Sequence, residues 1–208
     1  MKFYDLLDDI KYLKKISQNK IKKNIWEQRS LKFLDYMIKN NGEINHYFFK
    51  NFRSHKNKLI AENPSKLLNN FFLKIIYSHQ RKYIYYLYKK LTKSNKKLKY
   101  YLKFFKLDKI GNPGFSIIDN LKLNERFIRH CHFFSLFEKF FSKKNIDNVV
   151  DIGGGYGSFA RMIHKRHPKI KLFIVDLPEQ LLTAKFYLKN NFPKSKISKL
   201  EDVYKLNK

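Results

Sequence analysis

The run Asn148-Val149-Val150-Asp151-Ile152 leads without interruption into Gly153-Gly154-Gly155-Tyr156-Gly157. No other stretch limits the fold as tightly, because four of the seven glycines of the chain fall within five positions. A short β-branched segment followed by glycines predicts a strand that turns sharply into a helix. Residues 158–167 fit that helix, and Pro168 ends it. Lys171 to Val175 reads as a second apolar strand, closed by Asp176-Leu177-Pro178. Residues 179–191 fit a second helix ending before Pro193. The alternation of strand and helix predicts a parallel sheet.

Asp151, Gly153, Gly155 and Gly157 form an acid followed by alternating glycines. Glycines there permit a tight turn and let backbone approach a ligand where a Cβ would clash. Gly157 lets the helix begin close against the strand, and the helix N-terminus presents free N–H groups and a positive dipole end. Nineteen residues after Gly157, at the end of the second strand, Asp176 stands where a carboxylate accepts hydrogen bonds from ribose hydroxyls. The competing reading is an ordinary strand–helix turn with Asp176 as a surface acid. The spacing of both halves favours a nucleotide cofactor. The dinucleotide pattern G-x-G-x-x-G is not met, since its third position falls on Ser158.

The region before this motif has a different grammar. Residues 1–110 contain one glycine, Gly42, and one proline, Pro64. Leu6, Leu7, Ile10, Leu13 and Ile16 recur at helical spacing, as do Ile25, Trp26, Leu31, Leu34, Met37 and Ile38 before the stop at Asn40-Asn41-Gly42. A third helical segment starts at Pro64-Ser65 and runs through Leu67, Leu68, Phe71, Phe72, Ile75 and Ile76 into the tract Tyr83 to Leu91. Ser94 and Asn95 break it, and Leu98 to Phe105 resumes. The aromatics at helical spacing are read as core rather than as a base-stacking surface. Gly111-Asn112-Pro113-Gly114 is a junction, and residues 120–143 read as another helix. The expected fold is therefore α/β: an α-helical region over 1–110, then an incomplete Rossmann-like sheet over 111–208 with its glycine loop at 151–157.

Charge is the other conspicuous feature. The chain carries 45 Lys and Arg against 17 Asp and Glu, net +28 over 208 residues. Such an excess suits an anionic partner. Yet Lys outnumbers Arg 38 to 7, and the excess is spread over both parts, +19 before residue 111 and +9 after it. Residues with AT-rich codons (Lys, Asn, Ile, Phe, Tyr) dominate, so compositional drift is preferred to a selected polyanion site. Cys131 is the single cysteine, so no disulfide framework or cysteine-based zinc site is expected. Asp5, Asp8 and Asp9 argue against a signal peptide, and no run of about 18 apolar residues would span a membrane. A cytoplasmic globular protein is expected, with peripheral contact to anionic surfaces left open.

The acid and alternating glycines at 151–157 resemble motif I of class I S-adenosylmethionine-dependent methyltransferases. HPKIKLFIVDLP, residues 167–178, resembles the second motif of small-molecule O-methyltransferases. More closely, IGGGYG at 152–157, IVDLPE at 174–179, LLTAKFYL at 181–188 and the Gly-Asn-Pro turn at 111–113 before the segment Asn124 to His132 are similar to sugar O-methyltransferases of bacterial surface-polysaccharide clusters. The likeness is specific over 145–195, looser over 111–144 and weak over 1–110.

That resemblance implies S-adenosylmethionine as cofactor and a sugar or glycan-precursor hydroxyl as acceptor. Gly153, Gly155 and Gly157 would lie along the methionine part, Asp151 would orient its amino group, Asp176 would hold both ribose hydroxyls, and Leu177 would pack on the adenine. Tyr156 would either shield the sulfonium or cap the helix. The reaction is an in-line methyl displacement in which alignment does much of the work. His130 and His132 are weak candidates for a general base. Two residues apart on a helix, they point to different faces, so one exposed and one packed histidine is the plainer reading. No metal is expected.

The likeness also has a gap. A domain of this class has seven strands, whereas residues 147–208 leave room for two strand–helix units and a third strand starting within 195–206. A truncated or frame-shifted product is favoured over a split enzyme completed by another chain or a degenerate binding protein, and activity of the chain alone is doubted. A non-enzymatic basic polyanion-binding module and an RNA or DNA methyltransferase fragment stay as alternatives.

Overall fold

The computed structural model describes residues 4–18, 25–39, 41–54, 71–141 and 146–198. Its elements are α1 (Tyr4–Gln18), α2 (Ile25–Tyr36), α3 (His46–Asn51), α4 (Phe71–Ser94), α5 (Leu98–Phe105), β1 (Ser116–Ile118), β2 (Leu121–Leu123), α6 (Glu125–Phe141), β3 (Asn148–Ile152), α7 (Ser158–Arg166), β4 (Lys171–Val175) and α8 (Pro178–Asn191). The protein is mixed α/β, helical toward its N-terminus. The expected helix start at Pro64-Ser65 lies outside the described residues. So does the end of the expected strand at 195–206, while Ser195–Ser198 form no strand.

Packing divides the chain into two compact units, neither continuous in sequence. One comprises Met1–Phe49, Val150–Arg161 and Phe173–Lys208, and the other comprises Lys50–Val149 and Met162–Leu172. The sequence places a boundary near residue 110, whereas these units follow which faces meet. In the first unit α1, α2 and α8 pack on one another. Leu6, Ile10 and Leu13 recur every three or four residues along α1 and are buried, as are Phe33 and Leu34 of α2 and Met37 just after it. Leu182, Phe186 and Tyr187 supply the face of α8. Inside that core Lys185 of α8 forms an ion pair with Asp9 of α1, and both are almost fully buried.

The second unit packs α5 and α4 against α6. Leu98, Tyr101, Leu102 and Phe105 form the buried stripe of α5, and Phe105 meets Phe134 edge to face at 4.7 Å. Arg53 is buried, and its guanidinium donates to Asp108 Oδ1 at 2.8 Å and to the Ile110 carbonyl at 3.0 Å. The junction turn closes over Phe52. Gly111 has φ +75°, and a Cβ there would stand 2.4 Å from the Phe52 ring. Gly111→Ala is therefore expected to cost about 3 kcal/mol, combining left-handed strain with overpacking. A urea midpoint equal to that of the parent would contradict this reading of the turn.

The segment read as a helix from residue 120 begins differently. Ser116–Ile118 and Leu121–Leu123 pair as an antiparallel hairpin. Asp119 and Asn120 both take positive φ, +48° and +60°, as a two-residue hairpin turn requires. Tyr88 donates its hydroxyl to Asp119 Oδ2 at 2.9 Å. The helix α6 starts only after Asn124, whose Oδ1 accepts from the Phe127 N–H at 2.9 Å and whose amide donates to the Gly114 carbonyl at 3.0 Å.

The sheet that carries the glycine loop joins β3 and β4. Lys171 N donates to Asp147 O, and Gly153 N donates to Val175 O, each at 2.8 Å. Both partners advance together along the chain, so the strands run parallel, as the strand–helix alternation requires. Side chains alternate along both strands: Val150, Ile152, Phe173 and Val175 are exposed, while Asp151 and Ile174 are half-buried. Among the described residues the sheet has two strands.

Candidate cofactor-binding site

The glycines between β3 and α7 play three different parts. Gly153 and Gly155 have φ of +73° and +55°, and nothing lies within 4 Å of where a Cβ would sit. They are required by backbone conformation, and they leave open space. Gly154 is required by contact, since a Cβ would meet the Asp151 carboxylate at 2.7 Å and Ile174 at 2.9 Å. Gly157 has φ +81°, and a Cβ would stand 3.2 Å from Leu188 and 3.4 Å from Ala184. It thus lets the start of α7 lie against α8 rather than against a strand, and the Arg161 N–H closes the first helical turn on the Gly157 carbonyl at 2.9 Å.

Asp176 reaches across from the end of β4 to this loop. Its Oδ2 accepts the Gly155 N–H at 2.6 Å, and its Oδ1 accepts the Leu177 N–H at 2.7 Å. The carboxylate therefore orders the turn by the route a loop of free N–H groups offers any anion. Leu177, 38% exposed, follows beside it, and Pro178 takes the first turn of α8, where its missing N–H costs nothing. Asp151 completes the cradle from β3. Its Oδ2 is buried and has no hydrogen-bond partner among the described residues. Burial first, and the neighbouring charge of Asp176 second, raise its carboxyl above the ordinary aspartate value. Two carboxylates thus converge at one turn, and Asp151 lacks a donor that a ligand's ammonium or hydroxyl would supply.

Six of the seven positions expected to hold a cofactor, Asp151, Gly153, Gly155, Gly157, Asp176 and Leu177, lie along this turn or its flanks. Tyr156 is there in the backbone only. Its ring is 3% exposed and meets Tyr187 edge to face at 5.0 Å, so it packs inward against α8. Gly154 was not singled out by the alternating pattern. In a run of three glycines no sequence signal marks which one lies under the aspartate.

His130 and His132 sit in the other unit, on α6. His130 is pushed down to about 4, mainly by burial and then by the charges of Arg126 and Arg53. His132 is also lowered by burial, and its Nδ1 lies 3.2 Å from Asn95 Nδ2. With the amide donating, Nδ1 is the acceptor and the proton sits on Nε2. The two rings meet different neighbours, as their spacing implies. Neither arrangement is that of a poised base: one ring holds a proton poorly at neutral pH, and the other has its lone pair engaged.

The low value for His130 has a consequence for stability. The folded protein refuses a proton that the unfolded chain, near 6.5, accepts. Its contribution is whole above pH 6.5 and is lost as pH falls through about 4. The urea midpoint should therefore drop between pH 7 and pH 5, and drop less in His130→Gln. Equal slopes in the two proteins would remove His130 as a source of acid sensitivity.

Among the described residues, no helix is long and apolar enough to cross a membrane, and no group of three or more His, Cys, Asp or Glu is placed to hold a metal ion. Compared with known proteins, residues 131–202 match the family model of the O-methyltransferase domain, 72 of the 208 residues of the chain. No curated protein and no solved structure matches the chain significantly. The matched stretch contains β3, the glycine loop, α7, β4 and α8, so it coincides with the turn on which Asp151 and Asp176 converge. Residues 131–202 are thus similar to an O-methyltransferase domain, a family that implies use of S-adenosylmethionine.

Proposed function

We propose that the protein is an S-adenosylmethionine-dependent O-methyltransferase whose acceptor is a hydroxyl of a sugar or a related small molecule. The observation that carries the cofactor assignment is the pairing of Asp176 with the glycine turn, beside the unpartnered buried oxygen of Asp151. The acceptor class rests on the likeness of IGGGYG, IVDLPE and the Gly-Asn-Pro turn to sugar O-methyltransferases.

When bound, S-adenosylmethionine supplies a methyl group already activated on a sulfonium. The residues of the chain then bind and align. The open space over Gly153 and Gly155 admits the methionine portion. Asp151 gains the ammonium donor its buried oxygen lacks. Asp176, still holding the turn through the Gly155 N–H, accepts from the ribose hydroxyls, and Leu177 offers an apolar surface to the adenine. Displacement at an activated methyl depends largely on alignment, and a sugar hydroxyl still benefits from a base that takes up its proton as the methyl is transferred.

Methyl transfer from labelled S-adenosylmethionine, tried on nucleotide-sugar and lipid-linked glycan precursors and on a catechol control, tests the proposal. Label on the sugar-containing acceptors is the expected result. Label on the catechol alone would retain the O-methyltransferase and discard the sugar. No transfer to any hydroxyl acceptor by protein that binds the cofactor would overturn the functional reading.

A further inference from the structure

The outer side of α4 and α5 is not used by any step above. From Asn63 to Leu107 the sequence has twelve Lys and Arg and no Asp or Glu. In α4 the helical repeat sends Ile84, Leu87 and Tyr88 inward, where they are buried. Lys82, Tyr85, Tyr86, Lys89, Lys90 and Lys93 lie on the opposite, exposed side. Tyr85 is 50% exposed, Tyr86 60%, and Tyr100 of α5 52%. The aromatics at helical spacing thus divide: Tyr88, Tyr101 and Phe105 are core, while these three face solvent.

The exposed tyrosines are bound up with the cations. Lys89 Nζ sits 5.3 Å from the Tyr85 ring centre and Lys90 Nζ 5.7 Å from that of Tyr86. Among the described residues Asp119 stands 3.9 Å from Lys89 and 3.5 Å from Lys99, and Glu125 accepts from the Tyr83 hydroxyl of α4 at 3.1 Å. Lys82, Lys90 and Lys93 have no carboxylate at ion-pair distance among the described residues. A row of like charge that one carboxylate offsets only in part is unfavourable in itself, and an anionic surface would relieve it.

We propose that this lysine and tyrosine face rests on an anionic phospholipid bilayer. Three features select a bilayer over a nucleic acid. The cations are lysines, which act as point charges, whereas planar guanidinium forks suit phosphodiester and base recognition. The face is the convex side of a helix rather than a groove that tracks a strand. Exposed tyrosine, with an apolar ring and a polar tip, suits the headgroup level of a membrane. Ile84, Leu87 and Tyr88 of α4 are already buried in their own unit, so the contact is superficial and needs no inserted helix. The inference does not depend on the methyltransferase reading.

Flotation with vesicles of mixed phosphatidylglycerol and phosphatidylcholine, against phosphatidylcholine alone, tests it. The full chain should float with the mixed vesicles only, and added salt should release it. Each lysine near such a surface strengthens partition about fivefold, so Lys82→Ala/Lys90→Ala/Lys93→Ala should weaken it on the order of a hundredfold. Tyr85→Ser/Tyr86→Ser should weaken it with the salt dependence kept. All five side chains are exposed, and an unchanged urea midpoint would verify that the variants fold. The proposal is overturned if the parent does not bind mixed vesicles, if the triple variant floats as the parent does, or if a single-stranded oligonucleotide competes the protein off the vesicles.

Discussion

Asp9→Ala is expected to lose about 3–5 kcal/mol of stability, because it leaves the Lys185 ammonium buried with no opposite charge. The pair joins α1 to α8 across positions 176 residues apart, with Asp9 4% and Lys185 6% exposed. Removing both charges together has a different outcome. Asp9→Leu/Lys185→Met keeps the volume and needs no desolvation of ions, so most of the loss should be recovered. Urea midpoints of the parent and the two variants would decide. A single variant as stable as the parent would show that the pair does not hold α8 against α1. A double variant as unstable as the single one would show that packing, and not the stranded charge, was lost.

The second large effect is on the cofactor. Asp176→Ala should weaken S-adenosylmethionine binding on the order of a hundredfold, the loss of two hydrogen bonds to a charged acceptor. The same carboxylate holds the Gly155 N–H and the Leu177 N–H. The variant therefore also frees the turn, and part of its loss is preorganisation. Asp176→Asn separates the two contributions, since its amide oxygen still accepts from one N–H while the charge is gone. An affinity for Asp176→Asn between those of the parent and Asp176→Ala is the expected order. Equal affinity in all three would place the ribose elsewhere.

The parts of this structure that sequence makes legible are the local ones. The β-branched run, the glycines and the terminal Asp-Leu-Pro lie close together, so the strand, the turn and the helix follow from neighbouring residues. The pairing of β3 with β4 follows from the short crossover between them. Gly157 was expected to bring its helix close to a strand, yet the surface it meets is Leu188 and Ala184 of α8, a choice made by packing some thirty residues away. The hairpin at 116–123 was hidden because its strands have three residues each, too few to alternate, and Leu121 fitted helical spacing.

Long-range polar contacts were illegible for a plainer reason. In the sequence Asp9 reads only as one of three acids unsuited to a signal peptide, and nothing near it points to Lys185. Arg53 and Asp108 are alike in this. Their pairing exists because the chain brings distant segments together, and no spacing rule encodes it. The tyrosines of α4 show the converse. Helical spacing gave their common repeat correctly, but not which side of the repeat faces inward, since aromatics occupy both.

The turn between β3 and α7, with Asp151 and Asp176 beside it, is the proposed binding site for S-adenosylmethionine. Isothermal titration of S-adenosylmethionine into the folded parent chain tests it most directly. Saturable heat at one site per chain is expected, diminished about a hundredfold in affinity by Asp176→Ala. A folded parent that gives no binding heat and no thermal shift at millimolar ligand would contradict it.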